Sequence, residues 1–172
     1  MILKPTDQEY AEFYRSYISK VPDDNDIIGY LEIQTKQVVQ LFHTITPSQS
    51  NFQYQPGKWS VKEVIGHLTD SERVYGYRAM CIARRETQSL PGFEQDDYVR
   101  VANFAYRNFD SLIDEFHNLR LSNISLFNSL DEESSKLMGT ANGAPVSVRA
   151  LVYIIAGHTD HHINILKERY LI

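Results

Sequence analysis

The chain has one cysteine in 172 residues, Cys81, so no internal disulfide can form. Nothing therefore calls for an oxidising compartment. Long apolar runs are missing too. The longest, "ALVYIIAG", falls far short of the roughly 20 residues that cross a bilayer. The opening "MILKPTDQEY" has no basic stretch followed by an apolar core, unlike a secretory signal. A cytoplasmic protein without membrane association is the expectation. Basic residues are also in short supply, 17 against 22 acidic, for a net charge of −5. Nucleic-acid binders displace counterions with a basic patch, and the nearest candidate here, "ARRE" at 83–86, reads as the solvated end of a helix. No nucleic-acid partner is expected. What remains is ordinary globular composition, 42% hydrophobic and 23% charged, in a chain long enough to bury its own core as one domain over 1–172.

Apolar residues recur at helical spacing in four segments, and no segment alternates in the manner of a strand. The first runs from Asp26 to Thr46, with Ile27, Leu31, Val38, Phe42 and Ile45 on one face and Pro47 as its stop. A shorter helix over 6–19 precedes it, closed by a turn in "VPDDND". The second starts at Ser60, whose partner Glu63 makes a capping box, and runs to about Arg85. The loop "ETQSLPGFEQDD" follows. The third spans Tyr98 to Leu130, the polar loop "DEESSKLMGTANGAP" comes next, and Ser147 caps a fourth that reaches about Tyr170. The fold expected is all-α, an antiparallel four-helix bundle with an extra short N-terminal helix.

Three of the six histidines stand in "GHTDHH" at 157–162. Residues four apart on a helix are about 40° apart around the axis and about 6 Å along it, so His158 and His162 can reach one ion. His161, three residues after His158, is an alternative partner. An ion with an open coordination position wants a third protein ligand. His67 on the second helix can supply it, because it shares a face with Val64, Ser71 and Val74. Its neighbour Gly66 costs helix stability and makes sense if something approaches closely. Glu63 and Asp70 flank His67 at helical spacing, where a carboxylate can orient an imidazole. His43 and His117 have no second histidine at helical spacing and are assigned to the surface or core edge. Trp59 reads as a packing anchor at the start of the second helix.

Other chemistries find little support. A zincin places glutamate after the first histidine, and this chain has Thr159 there. Asp160 falls about 200° from His158 and faces away from a shared ion. Cys81 sits late in a helix, where the dipole disfavours a thiolate. There is no G-x-S-x-G elbow and no glycine-rich phosphate cradle.

The stretches "KWSVKEVIGHLTDSE", "LPGFEQDDYV", "ANF" and "VSVRALVYIIAGHTDHHINILKERYL" together resemble the DinB-like superfamily, and within it the YfiT-type branch of metal-dependent hydrolases. The resemblance covers the chain from about residue 26 to the end. It implies a four-helix bundle of up-up-down-down type, often a homodimer, with a divalent ion on three histidines. Carried onto this sequence, those are His67, His158 and His162. It implies zinc or nickel as the metal, and Asp96, Asp97 and Tyr98 as residues lining the site mouth. It also implies that a low-molecular-weight thiol can serve as cofactor. An ion with an open position can acidify a water, leading to hydrolysis, or hold a thiolate, leading to S-transfer. The expected function is thus a metal-dependent hydrolase or thiol S-transferase acting on a small molecule. A non-catalytic metal- or ligand-binding bundle is the alternative.

Overall fold

The structure, a computed structural model, describes residues 1–23 and 26–170. Asp24 and Asn25, inside the expected turn "VPDDND", lie outside the described residues, as do the last two. The architecture is helical, with one two-stranded sheet.

The N-terminal segment is not one helix over 6–19. Two 3-10 turns, Asp7–Glu9 and Glu12–Tyr14, lead into a single-turn α1, Arg15–Ile18. The first long helix, α2, spans Ile27–His43, with the Asp26 side chain accepting from the Gly29 N–H. It stops at His43 with Thr44 as its cap, short of the expected Thr46, so Pro47 is not its stop. Thr46 and Gln49 form a capping box, and Pro47 opens a further short helix, α3, Pro47–Ser50. Proline is well suited to the first helical position, where no N–H is needed. The second long helix, α4, runs Val61–Ala83 from the expected cap, Ser60.

The third expected segment is divided. Residues 95–102 form α5, Gln95–Ala102, so Asp96 and Asp97 belong to the first turn of a helix rather than to a loop. Asn103 then takes a left-handed conformation (φ 55°), Phe104–Tyr106 make a 3-10 turn, and α6 begins afresh as Phe109–Asn128 under an Asn108 cap. Asparagine tolerates positive φ because its side chain bonds locally. A helix read continuously from Tyr98 ignored that break.

The polar connection after α6 is also structured. α7, Glu132–Ser135, precedes β1, Met138–Ala141, and β2, Ala144–Ser147, antiparallel with Met138 opposite Ser147 and Ala141 opposite Ala144. Asn142 and Gly143 form the two-residue turn at φ 51° and 73°, the Asn-Gly pairing that a hairpin of this type requires. The expectation of no strands is corrected here. Leu90 pins the hairpin through bonds to Thr140 O and from the Asn142 N–H. Finally α8, Val148–Ile165, starts at the Ser147 cap and passes into a wide π turn, Leu166–Tyr170.

α4 packs against α6 and α8, and α2 packs against the same two helices. The four long helices thus form the expected bundle. Its interior has two apolar clusters. One gathers Leu31, Ile82, Phe127 and the first half of α8; the other gathers Val38, Phe42, Ile65, Leu112, Phe116 and Ile163. Between them each long helix turns polar side chains inward: Gln34 and Thr35 on α2, His67, Ser71 and Glu72 on α4, Arg120 and Asn123 on α6, His158 and Thr159 on α8, all buried. A polar layer crosses the core at mid-height.

Candidate metal centre

The capping box at Ser60 fixes where α4 begins. Ser60 N donates to Glu63 Oε2 (2.6 Å), and Glu63 N donates to Ser60 Oγ (3.3 Å). His67 follows two turns later on an inward face. Ser147 caps α8 by accepting from the Ala150 N–H (3.0 Å), and His158 and His162 lie one turn apart along it. Glycine precedes the first histidine of each helix, and both glycines permit close approach. A Cβ on Gly66 would lie 2.6 Å from the Phe104 ring, and one on Gly157 would lie 2.1 Å from the Tyr17 carbonyl oxygen. Phe104 and the backbone of α1 therefore close over the two helices beside their histidines.

The three rings converge. His67 Nε2 and His158 Nε2 are 3.1 Å apart. One nitrogen from each of His67, His158 and His162 falls within 4.8 Å of the others. Two nitrogens on one tetrahedral ion, each bonded at about 2.0–2.1 Å, stand about 3.3 Å apart. The first pair meets that spacing, and the His162 nitrogen lies within 4.8 Å of both. His67 is 2% exposed and His158 5%; His162 is partly exposed where it lines a cleft.

Burial pushes His67 down to about 4. It also holds His158 and His162 well below the usual imidazole value, helped by the mutual proximity of the rings. Three neutral imidazoles at pH 7 present lone pairs, which is the form a cation needs. His67 Nδ1 faces Ser71 Oγ at 3.4 Å. A proton on Nδ1 directed at that hydroxyl leaves Nε2 free toward the other two rings. The donor set fits a divalent cation.

The cleft, of about 520 Å³, is lined by Trp59, Tyr54, Tyr170, Lys58 and Asp96 together with His162. That volume suits a small molecule. Trp59 is more than an anchor, because its ring lies 4.6 Å from that of His67 and is stacked at 23° on His162, 6.4 Å away. The π turn after α8 directs Tyr170, whose hydroxyl donates to Trp59 O at 2.5 Å.

Several residues singled out from the sequence stand elsewhere. Glu63 spends its carboxylate on the Ser60 cap, and Asp70 lies beside Arg73 at 3.5 Å. The hydroxyl of Ser71, not either carboxylate, meets the ring of His67. His161 packs on Tyr17, ring centroids 5.2 Å apart, and does not join the three-nitrogen group. Asp96 lines the cleft, whereas Asp97 pairs with Arg100 and Tyr98 packs on Phe93 over a different hollow. Asp160 faces α2, accepting from Tyr30 and Gln34. His43 is exposed and His117 half-buried. Tyr54, Lys58 and Tyr170 line the cleft without any signal in the sequence that marks them for it. Ser71 does have one, since it stands four residues after His67.

Three histidines converging beside a cleft in a helical bundle make a candidate metal centre, and comparison with known proteins gives the chain its family. The DinB superfamily matches residues 30–166, and the chain belongs to it. A protein of Oceanobacillus iheyensis, provisionally named a metal-dependent hydrolase, is 20% identical over 149 residues, 86% of this chain and 85% of its own. YfiT from Bacillus subtilis, described as "a probable metal-dependent hydrolase with an unusual four-helix bundle topology", superimposes with a TM-score of 0.69. The match covers 96% of this chain and 90% of YfiT at 18% identity, so the likeness is one of fold. Among the described residues, no helix is long and apolar enough to cross a membrane.

Proposed function

We propose that the protein is a metal-dependent hydrolase of small molecules, with His67, His158 and His162 as ligands of one divalent cation, zinc or nickel. The observation that carries this reading is the convergence of three imidazoles, two of them buried, at the wall of a cleft. The names given to the two relatives favour hydrolysis. A bound cation would supply Lewis acidity at a position left open toward the cleft. The chain's own residues do the rest. Trp59 and Tyr170 wall the site against bulk water on one side, and Lys58 and Asp96 offer opposite charges at its rim. Transfer to a low-molecular-weight thiol is the second chemistry the same open position allows. The acidic balance of the chain favours a small molecule over nucleic acid.

The test is elemental analysis of untagged protein beside alanine variants of the four histidines at 67, 158, 161 and 162. The wild type and His161→Ala should retain about one ion per chain, and the other three should lose it. Full metal content in His67→Ala would sink the assignment. A substrate screen of esters, amides and thiol acceptors, with and without chelator, then separates hydrolase from transferase. Metal binding without turnover across that screen would favour a bundle that only holds the ion.

A further inference from the structure

We propose that Arg120 is a positioning residue for the histidine centre: it ties α4 to α8 in the register at which His67 meets His158 and His162. The inference rests on the metal reading above. The Arg120 side chain is wholly buried and spends its donors on three helices. Nε donates to Glu72 Oε1 on α4 (2.7 Å), one terminal nitrogen to Gln34 Oε1 on α2 (2.8 Å), and the other to Thr159 Oγ1 on α8 (2.9 Å). Each attachment point adjoins the centre or its helix. Glu72 follows Ser71, the residue that faces the ring of His67. Thr159 follows His158 and also donates to Ile155 O (3.0 Å). Gln34 continues the chain of bonds to Ala156 O (2.9 Å) and Asp160 Oδ1 (2.7 Å), two further points on α8.

Stability alone does not account for such an arrangement. A buried ion pair pays desolvation that its attraction barely repays, and well-packed apolar residues serve stability as well or better. Glu72 Oε2, moreover, is buried with no protein partner, so the carboxylate is imperfectly satisfied. What a guanidinium provides that leucine cannot is direction. Its planar fork fixes the positions of several acceptors at once. Here two of those acceptors, Glu72 and Thr159, sit on the two helices that carry the histidines, one residue after Ser71 and His158 respectively. Residues that orient metal ligands typically change metal affinity 10–100-fold when removed.

The experiment compares wild type, Arg120→Met and Thr159→Val, the last keeping side-chain shape while removing the hydroxyl. Phe127→Leu, two turns beyond Arg120 on α6, serves as a core control for lost stability. Co²⁺ is the probe. Its dissociation constant is measured by chelator competition well below each variant's melting temperature, and its visible ligand-field bands are recorded. Arg120→Met and Thr159→Val should bind Co²⁺ about 10–100-fold more weakly, with altered bands, while Phe127→Leu keeps wild-type affinity and spectrum. If both variants bind within two-fold of wild type with unchanged bands, Arg120 is purely structural and the inference falls, the metal assignment standing. Should Arg120→Met fail to fold, Thr159→Val decides the matter alone. A wild type that binds no Co²⁺, Ni²⁺ or Zn²⁺ overturns this inference and the metal assignment together.

Discussion

The polar layer that crosses the bundle has two halves built to different ends. In the half around Arg120, the guanidinium has an acceptor on each of three neighbouring helices. In the half around His67, nitrogens face one another at 3.1 Å, and one serine hydroxyl at 3.4 Å is the partner on the far side. The first half is nearly closed to anything outside the chain. The second gathers three ring nitrogens within 4.8 Å of one another. His67 and His158 are as buried as Glu72 and Thr159 on the same two helices, so burial alone does not separate scaffold from site. Where the donors and acceptors are spent does.

Breaking the closed half should have the larger effect on the fold. Arg120→Met strands the Glu72 carboxylate in the core and should cost about 3–5 kcal/mol of unfolding free energy, read as a drop in the urea midpoint. A loss below about 1 kcal/mol would mean that the two halves do not differ in the way described. The open half has its own signature in acid. His67 has its pKa lowered from 6.5 to about 4 in the folded chain, so unfolding takes up a proton between those values. The metal-free protein should therefore lose on the order of 3 kcal/mol from pH 6.5 down to 4, with His158 and His162 adding in the same direction. Glu9, lowered to about 2 and paired with Arg149, contributes stability above 4.5 that is lost only below it. Urea midpoints at pH 7, 5.5 and 4.5 isolate the histidine component, and His67→Gln should flatten the slope. The smallest effect should come from His161→Ala. That ring sits on Tyr17 at the margin, so Zn²⁺ affinity by chelator competition should stay within two-fold of wild type. A larger loss would move the boundary of the open half by one residue.

The same contrast explains what could be read from the sequence. Helical periodicity showed the four long segments, and the Ser60 and Ser147 caps located the starts of α4 and α8, because both signals are local. The spacing offered His158 with either His162 or His161, and only the packed helix separates them: His162 turns toward His67 while His161 turns toward Tyr17. Gly66 hinted at a close neighbour that proved to be Phe104. The break at Asn103 was hidden because the apolar pattern carries on across it. The hairpin at Asn142 and Gly143 did have a signal, the Asn-Gly dipeptide, obscured by strands only four residues long. The Arg120 network left no trace in the sequence. Its members come from four helices, and in one dimension a buried arginine looks like any solvated one. Asp96 and Asp97 show the same limit, since only helical geometry at α5 decides that the first lines the cleft and the second turns to Arg100.

The chain has one tryptophan, and its indole lies against two of the three converging rings. Emission excited at the red edge of the protein's absorption therefore originates at the candidate centre and nowhere else in the molecule. Filling of that centre, entry of a compound into the cleft and loosening of the Tyr170 contact can all be followed optically, without attaching a label.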